Sequence, residues 1–281
     1  MNGNGSALRV TYPDKIQYLC FFNDSLVTLH TFNILLAAMT ALAAVVFICL
    51  HHIDAGYGKF YNDKWGPSVN NRAGWVMMEA PVFIAMILLW YFSERRYDTA
   101  RLVILLIFEA HYFQRSFIFP FLIRGNGRMP VSIILLGVLF NTMNAFMQGG
   151  WLFYLSPAGR YSDRWLLDPR FISGVLLFAA GMFINIQSDS IIRHLRKPGD
   201  NSHYLPAKGL FRYVTSANYF GELLEWVGFA VLTWSYAGAV FVIWTFANLA
   251  PRASRTYDRY RQAFASEFDE KRLKRIIPFI Y

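Results

Sequence analysis

Cysteine and charge are what this 281-residue chain has least of. Its two cysteines, Cys20 and Cys49, lie at or beside the ends of apolar stretches, which leaves neither a disulfide framework nor a cysteine metal site. The six histidines form no HExxH arrangement. Only 16% of residues are charged, against roughly 25% in an ordinary soluble domain, so a soluble fold would lack the polar residues to coat itself. No GxGxxG opens a helix after a strand and no GxxxxGK[ST] occurs, which excludes a Rossmann dinucleotide unit and a P-loop. Linkers and low-complexity tracts are missing too, as is any repeat of about 20–50 residues. The chain therefore reads as one domain over 26–281, preceded by an extracytoplasmic segment over 1–25.

What fills the chain is apolar sequence, 55% of it hydrophobic and 18% aromatic. With about 20 residues needed to cross a hydrocarbon core of ~30 Å, seven segments fit, near 26–50, 73–92, 102–122, 131–155, 171–190, 214–235 and 237–250. The first is too long for a signal-peptide core and has no basic stretch ahead of it, so it reads as a retained span. The fold class is thus an all-α integral membrane protein, a seven-transmembrane helix bundle. Seven spans place 18 Lys and Arg residues on one side and 8 on the other, with Arg115 inside a span. The excess marks the cytoplasmic side, which puts the C-terminus in the cytoplasm of a bacterial inner membrane or on the cytosolic face of the endoplasmic reticulum. The net charge of +9 lies between and after the apolar runs instead of along one face, so it speaks for membrane topology and against nucleic acid.

Ionisable residues inside such segments are costly, several kcal/mol each on insertion scales, and survive where they meet a partner, a ligand or a water-filled cavity. Glu79 is a lone carboxyl group in an apolar run; in such surroundings it keeps its proton and can donate a hydrogen bond. Glu109, Tyr112 and Arg115 share a helix stripe, and His111 precedes Arg115 by one turn. Asn185, Asp189, Arg193 and Arg196 recur at spacings of four, four and three, a stripe suited to the amide, hydroxyl and phosphate groups of a nucleotide or, more plainly, to an Asp189–Arg193 salt bridge at a membrane boundary. Asn218, Glu222 and Glu225 share another face, where two carboxylates one turn apart demand a cation, a hydrogen bond or a proton. Basic loop residues are one source of that neutralisation. The tail 252–281, basic and aromatic by turns, reads on its own as an interfacial basic helix.

Four blocks together resemble the steroid 5α-reductase family: His111-Tyr-Phe-Gln-Arg-Ser-Phe117; Asn185-Ile-Gln-Ser-Asp189 running on to Arg193-His-Leu-Arg-Lys-Pro-Gly199; Gly209-Leu-Phe-Arg-Tyr-Val-Thr-Ser-Ala-Asn-Tyr-Phe-Gly-Glu-Leu-Leu-Glu-Trp226; and the closing Pro278-Phe-Ile-Tyr281. The likeness runs from about Glu79 to the last residue. It implies a seven-helix enzyme whose cytosolic loops and C-terminal tail close over a cofactor cavity, and which uses NADPH to reduce the C4–C5 double bond of a 3-oxo-Δ4-steroid. By position, Glu79 and Tyr112 match the residues that the family sets at the substrate ketone. Asn185, Asp189, Arg196, Tyr204, Asn218, Glu222 and Tyr260, with Arg115 and Arg128, match its cofactor site, and Trp226 matches the border between nicotinamide and steroid. One departure stands out. Where the family commonly has a histidine this chain has Thr256, so Arg255 or Arg259 is left to supply phosphate charge. The partners implied are a steroid or other lipophilic small molecule and the bilayer, with no protein partner. Rival readings are a related membrane reductase acting on a polyprenol, an enoyl thioester or another sterol double bond, and an intramembrane transporter using Glu79, Glu222 and Glu225.

Overall fold

Apolar runs long enough to cross a bilayer become helices because helix closes every backbone hydrogen bond within the segment. Such helices make up most of this chain in a computed structural model that describes residues 28–53, 56, 61, 63–125, 127–195 and 204–281. The segment 1–25, Arg196 and Lys197 lie outside the described residues. The long helices are α1 (Leu29–His52), α2 (Asn71–Tyr91), α3 (Thr99–Leu122), α4 (Val131–Leu155), α5 (Pro169–His194), α6 (Ala217–Thr233) and α7 (Tyr236–Ala263). Each of the seven expected segments is thus helical, although α7 continues well past residue 250. Five of them, α1 to α5, are long and apolar enough to cross a membrane. The other two fall short of that mark: α6 is 17 residues long and carries Asn218, Glu222 and Glu225, and the second half of α7 carries Arg252, Arg255, Arg259 and Arg261.

Starts and stops follow local chemistry. Thr28, Asn70, Asp168 and Ser235 each cap a helix by accepting a hydrogen bond from a backbone N–H of its first turn. α6 and α7 are joined across Trp234 and Ser235, with Trp234 in the left-handed conformation at φ 47°. Two short strands, β1 (Ser68–Asn70) and β2 (Arg128–Pro130), pair antiparallel at the head of α2 and α4, Ser68 opposite Pro130 and Asn70 opposite Arg128. Two helices carry a π turn, α3 at Gln114–Ile118 and α4 at Gly150–Leu155. Such wide turns are frequent at functional sites, and the first of these contains Arg115.

The helices pack chiefly as α5 on α6, α2 on α4 and α1 on α7. The α5–α6 contact is backbone against backbone. Gly174 and Gly181 on α5 interlock with Gly228 and Gly221 on α6, and a methyl group built on Gly221 would sit 2.5 Å from the backbone nitrogen of Asn185. Small residues allow this approach where lipid supplies no hydrophobic drive between helices. The interlock brings Asn185 and Asp189 alongside Asn218 and Glu222. Gly221→Ala is therefore expected to destabilise the fold by about 1–3 kcal/mol through overpacking. Thermal unfolding in detergent measures it, with Gly159→Ala, which meets open space, as the neutral control.

The tail corrects the sequence reading. Helix persists only to Ala263, as the end of α7, and residues beyond it form turns. They fold back instead of running along an interface: Thr215 N–H donates to the Lys274 carbonyl at 2.9 Å, and Lys274 N–H donates to the Tyr213 carbonyl at 2.8 Å. Ile276 is buried with Leu249 and Ala253, with Tyr219 packed against them. The aliphatic residues of the tail find an apolar bed on α6 and α7, which outweighs what a solvated basic helix would gain.

Candidate active site

A cavity of about 360 Å³ opens between α2, α3, α4, α5, α6 and α7. One part of its wall is aromatic and apolar, with Trp75, Met78, Phe140, Trp226, Phe241 and Trp244; another is polar, with Asn185, Asp189, Asn218, Glu222, Asn248 and Arg252. Glu79, His111, Tyr112 and Arg115 also line it. Nine residues singled out from the sequence thus share one chamber: Glu79, His111, Tyr112, Arg115, Asn185, Asp189, Asn218, Glu222 and Trp226.

Arg115 is the electrostatic centre of the polar part. Its guanidinium lies 3.5 Å from Asp189 and 4.0 Å from Glu222, and over the rings of Trp75 and Phe119 at 4.9 and 4.4 Å. Asn218 Nδ2 donates to Asp189 Oδ1 at 3.1 Å, and Asn185 Nδ2 donates to the Asn218 carbonyl at 2.9 Å. Asp189 is therefore held by α3 and α6 instead of forming the local pair with Arg193. The two carboxylates of α6 have separate partners. Glu222 faces Arg115, and Glu225 accepts a hydrogen bond from His111 Nδ1 at 2.8 Å. Both partners come from α3, not from the loops.

Glu79 and Tyr112 are held by α4. Asn141 Nδ2 donates to Glu79 Oε2 at 3.1 Å and to the Met78 carbonyl at 2.8 Å. Asn144 Nδ2 donates to the Tyr112 hydroxyl oxygen at 2.9 Å. The orientation of that amide is fixed from behind, since Gln148 Nε2 donates both to Asn144 Oδ1 at 3.3 Å and to the Ala237 carbonyl at 3.0 Å. Asn144 must therefore present its N–H to Tyr112, and the phenol's own proton is left for the cavity. Tyr112 and Trp226 are each only 2% exposed, and their rings pack at 5.7 Å with Phe108 against both.

Other sequence candidates fall elsewhere. Arg128 lies on β2, where Nε and Nη2 donate to the hydroxyl and carbonyl oxygens of Ser68 at 2.8 and 2.5 Å. Tyr204 is partly exposed and Tyr260 packs at a tilt against Phe264; neither lines the cavity, nor do Arg255, Thr256 or Arg259. Thr256 is buried with its hydroxyl unpartnered among the described residues. Glu109 is buried with both carboxylate oxygens in the same condition and does not line the chamber that its neighbours His111 and Tyr112 share.

The last 155 residues settle the lineage, since 127–281 match the family model described as 3-oxo-5-alpha-steroid 4-dehydrogenase. The chain belongs to that family. Its relatives in the 3-oxo-5-alpha-steroid 4-dehydrogenase family include 3-oxo-5-alpha-steroid 4-dehydrogenase 1 of Homo sapiens, 40% identical over 254 residues that cover 88% of this chain and 96% of that protein. The corresponding protein of Macaca fascicularis is 40% identical over 244 residues, 86% of this chain and 90% of the relative. A plant member, steroid 5-alpha-reductase DET2 of Gossypium hirsutum, is 34% identical over 254 residues, 89% of this chain and 97% of the relative. These alignments are longer than the stretch from Glu79 onward that the sequence motifs mark out.

Proposed function

We propose that this chain is a membrane oxidoreductase that reduces the C4–C5 double bond of a 3-oxo-Δ4-steroid, with NADPH as the reductant. Membership of a family whose relatives are named for 3-oxo-5-alpha-steroids supports the substrate class. The observation that carries the chemistry is the Tyr112 hydroxyl, which accepts from an Asn144 amide oriented by Gln148 and lines a chamber of apolar and aromatic walls.

In this reading the steroid ring lies along Trp226, and Tyr112 donates to its ketone oxygen. Glu79, with Oε2 anchored by Asn141, is the second donor. Charge builds on that oxygen as the β-carbon is reduced, so donors aimed there favour the transition state over the ground state. A bound reduced nicotinamide supplies the hydride. The donor set of the polar part fits such a nucleotide: amides of Asn185 and Asn218 and carboxylates of Asp189 and Glu222 suit hydroxyl and amide groups, and Arg115 suits phosphate. Arg128, Arg196, Tyr204 and Tyr260 belong to the same proposal as cofactor contacts. So does a seven-span topology with the C-terminus in the cytoplasm, which rests on the basic-residue asymmetry.

Purified protein in detergent, given NADPH and a panel of Δ4-3-ketosteroids, is expected to yield products gaining two hydrogens by mass spectrometry. Verified NADPH binding with no saturated steroid would remove the substrate assignment.

A further inference from the structure

We infer that His111, oriented by Glu225, delivers the proton to the substrate's α-carbon; the inference rests on the steroid-reductase reading above. Reduction of an enone needs a hydride at the β-carbon and a proton at the α-carbon, and the ketone-facing groups Tyr112 and Glu79 are committed to oxygen. The α-carbon is bonded to the carbonyl carbon, so its proton source must stand beside Tyr112 in the same chamber. His111 does. Its ring packs edge-on against Tyr112 at 4.9 Å and against Trp226 at 4.5 Å, and it lines the cavity.

The pairing with Glu225 gives the ring its role. The carboxylate, 1% exposed, holds Nδ1 at 2.8 Å, which fixes the ring's orientation. Nε2 makes no hydrogen bond among the described residues and is the nitrogen left for the chamber. Glu109, the one carboxylic acid of α3, is buried but does not line the cavity.

The step balances. The β-carbon accepts a hydride, oxidising the nicotinamide by two electrons, and the displaced π pair produces an enolate on the ketone oxygen. The Nε2–H bond of His111 breaks with its electron pair remaining on nitrogen, and the enolate pair forms the new C–H bond at the α-carbon. Solvent then reprotonates Nε2. Glu225 acts through His111 and is a positioning residue.

Protonation of the enolate is reversible from the product side, so it can be read without turnover. Wild type incubated in D2O with the saturated 3-oxosteroid, alone and with oxidised nicotinamide, is expected to place deuterium at C4 on one face. His111→Gln should slow this exchange about 10²-fold or more, the usual weight of a general acid–base group, with NADPH binding unchanged; Glu225→Gln should slow it by less. If His111→Gln does not bind NADPH, His111→Phe, which keeps the ring contacts, takes its place. Undiminished exchange in these variants, or no C4 exchange by a wild type that does reduce steroids, overturns the inference and leaves the reductase reading intact. A wild type that reduces no steroid removes the reading itself.

Discussion

Tyr112→Phe is expected to lower steroid turnover by about 10²–10³, the loss that follows removal of one oxyanion donor, while NADPH binding stays at the wild-type level. The phenyl ring preserves the contacts to Phe108, His111 and Trp226, so the fall isolates the hydroxyl. It also strands the Asn144 N–H, because Gln148 prevents the amide from turning over. Leaving a buried donor unsatisfied costs about 1–3 kcal/mol, which should appear as a lower unfolding temperature. Pairing Tyr112→Phe with Asn144→Leu should recover much of that stability and none of the turnover. Rapid turnover by Tyr112→Phe would show that the ketone is polarised elsewhere.

Arg115→Met should have the largest effect on the fold. The side chain is mostly buried, as are Asp189 and Glu222 beside it, and removing the cation leaves two carboxylates facing each other in the chamber. Breaking a buried charge pair from one side costs about 3–5 kcal/mol. Circular dichroism melts in detergent should show that loss, and nucleotide binding should go with it. The triple variant Arg115→Met, Asp189→Asn, Glu222→Gln removes the repulsion as well as the attraction. It is expected to regain stability without regaining nucleotide affinity. A single Arg115→Met variant that melts like wild type would mean that the charges of Asp189 and Glu222 are balanced by other groups.

Much of this arrangement was legible in the sequence, and the residues that escaped did so for identifiable reasons. Length and apolar content mark seven helices because a bilayer-length run has few other ways to satisfy its backbone. Asn185 with Asp189, and Asn218 with Glu222 and Glu225, are visible because polar groups at helical spacing stand out against apolar neighbours. Asn141, Asn144 and Gln148 obey the same rule at spacings of three and four. They escape notice because an uncharged amide is less conspicuous than a carboxylate, although here they hold both groups assigned to the ketone. The pairing of His111 with Glu225 joins residues 114 positions apart, which no local spacing reveals. Nor do the π turns at Gln114–Ile118 and Gly150–Leu155 announce themselves, because their residues are ordinary helix formers and aromatics. The glycines of α5 and α6 gain their meaning only when the two helices are set face to face.

Because Asn141 and Asn144 stand three residues apart on one helix, the offset between the two groups they anchor follows the rise of a single rod, about 1.5 Å per residue. Glu79 on α2 and Tyr112 on α3 are thereby referenced to the same ruler. α4 is thus a single gauge that sets the pitch between a carboxyl group and a phenol carried by two other helices.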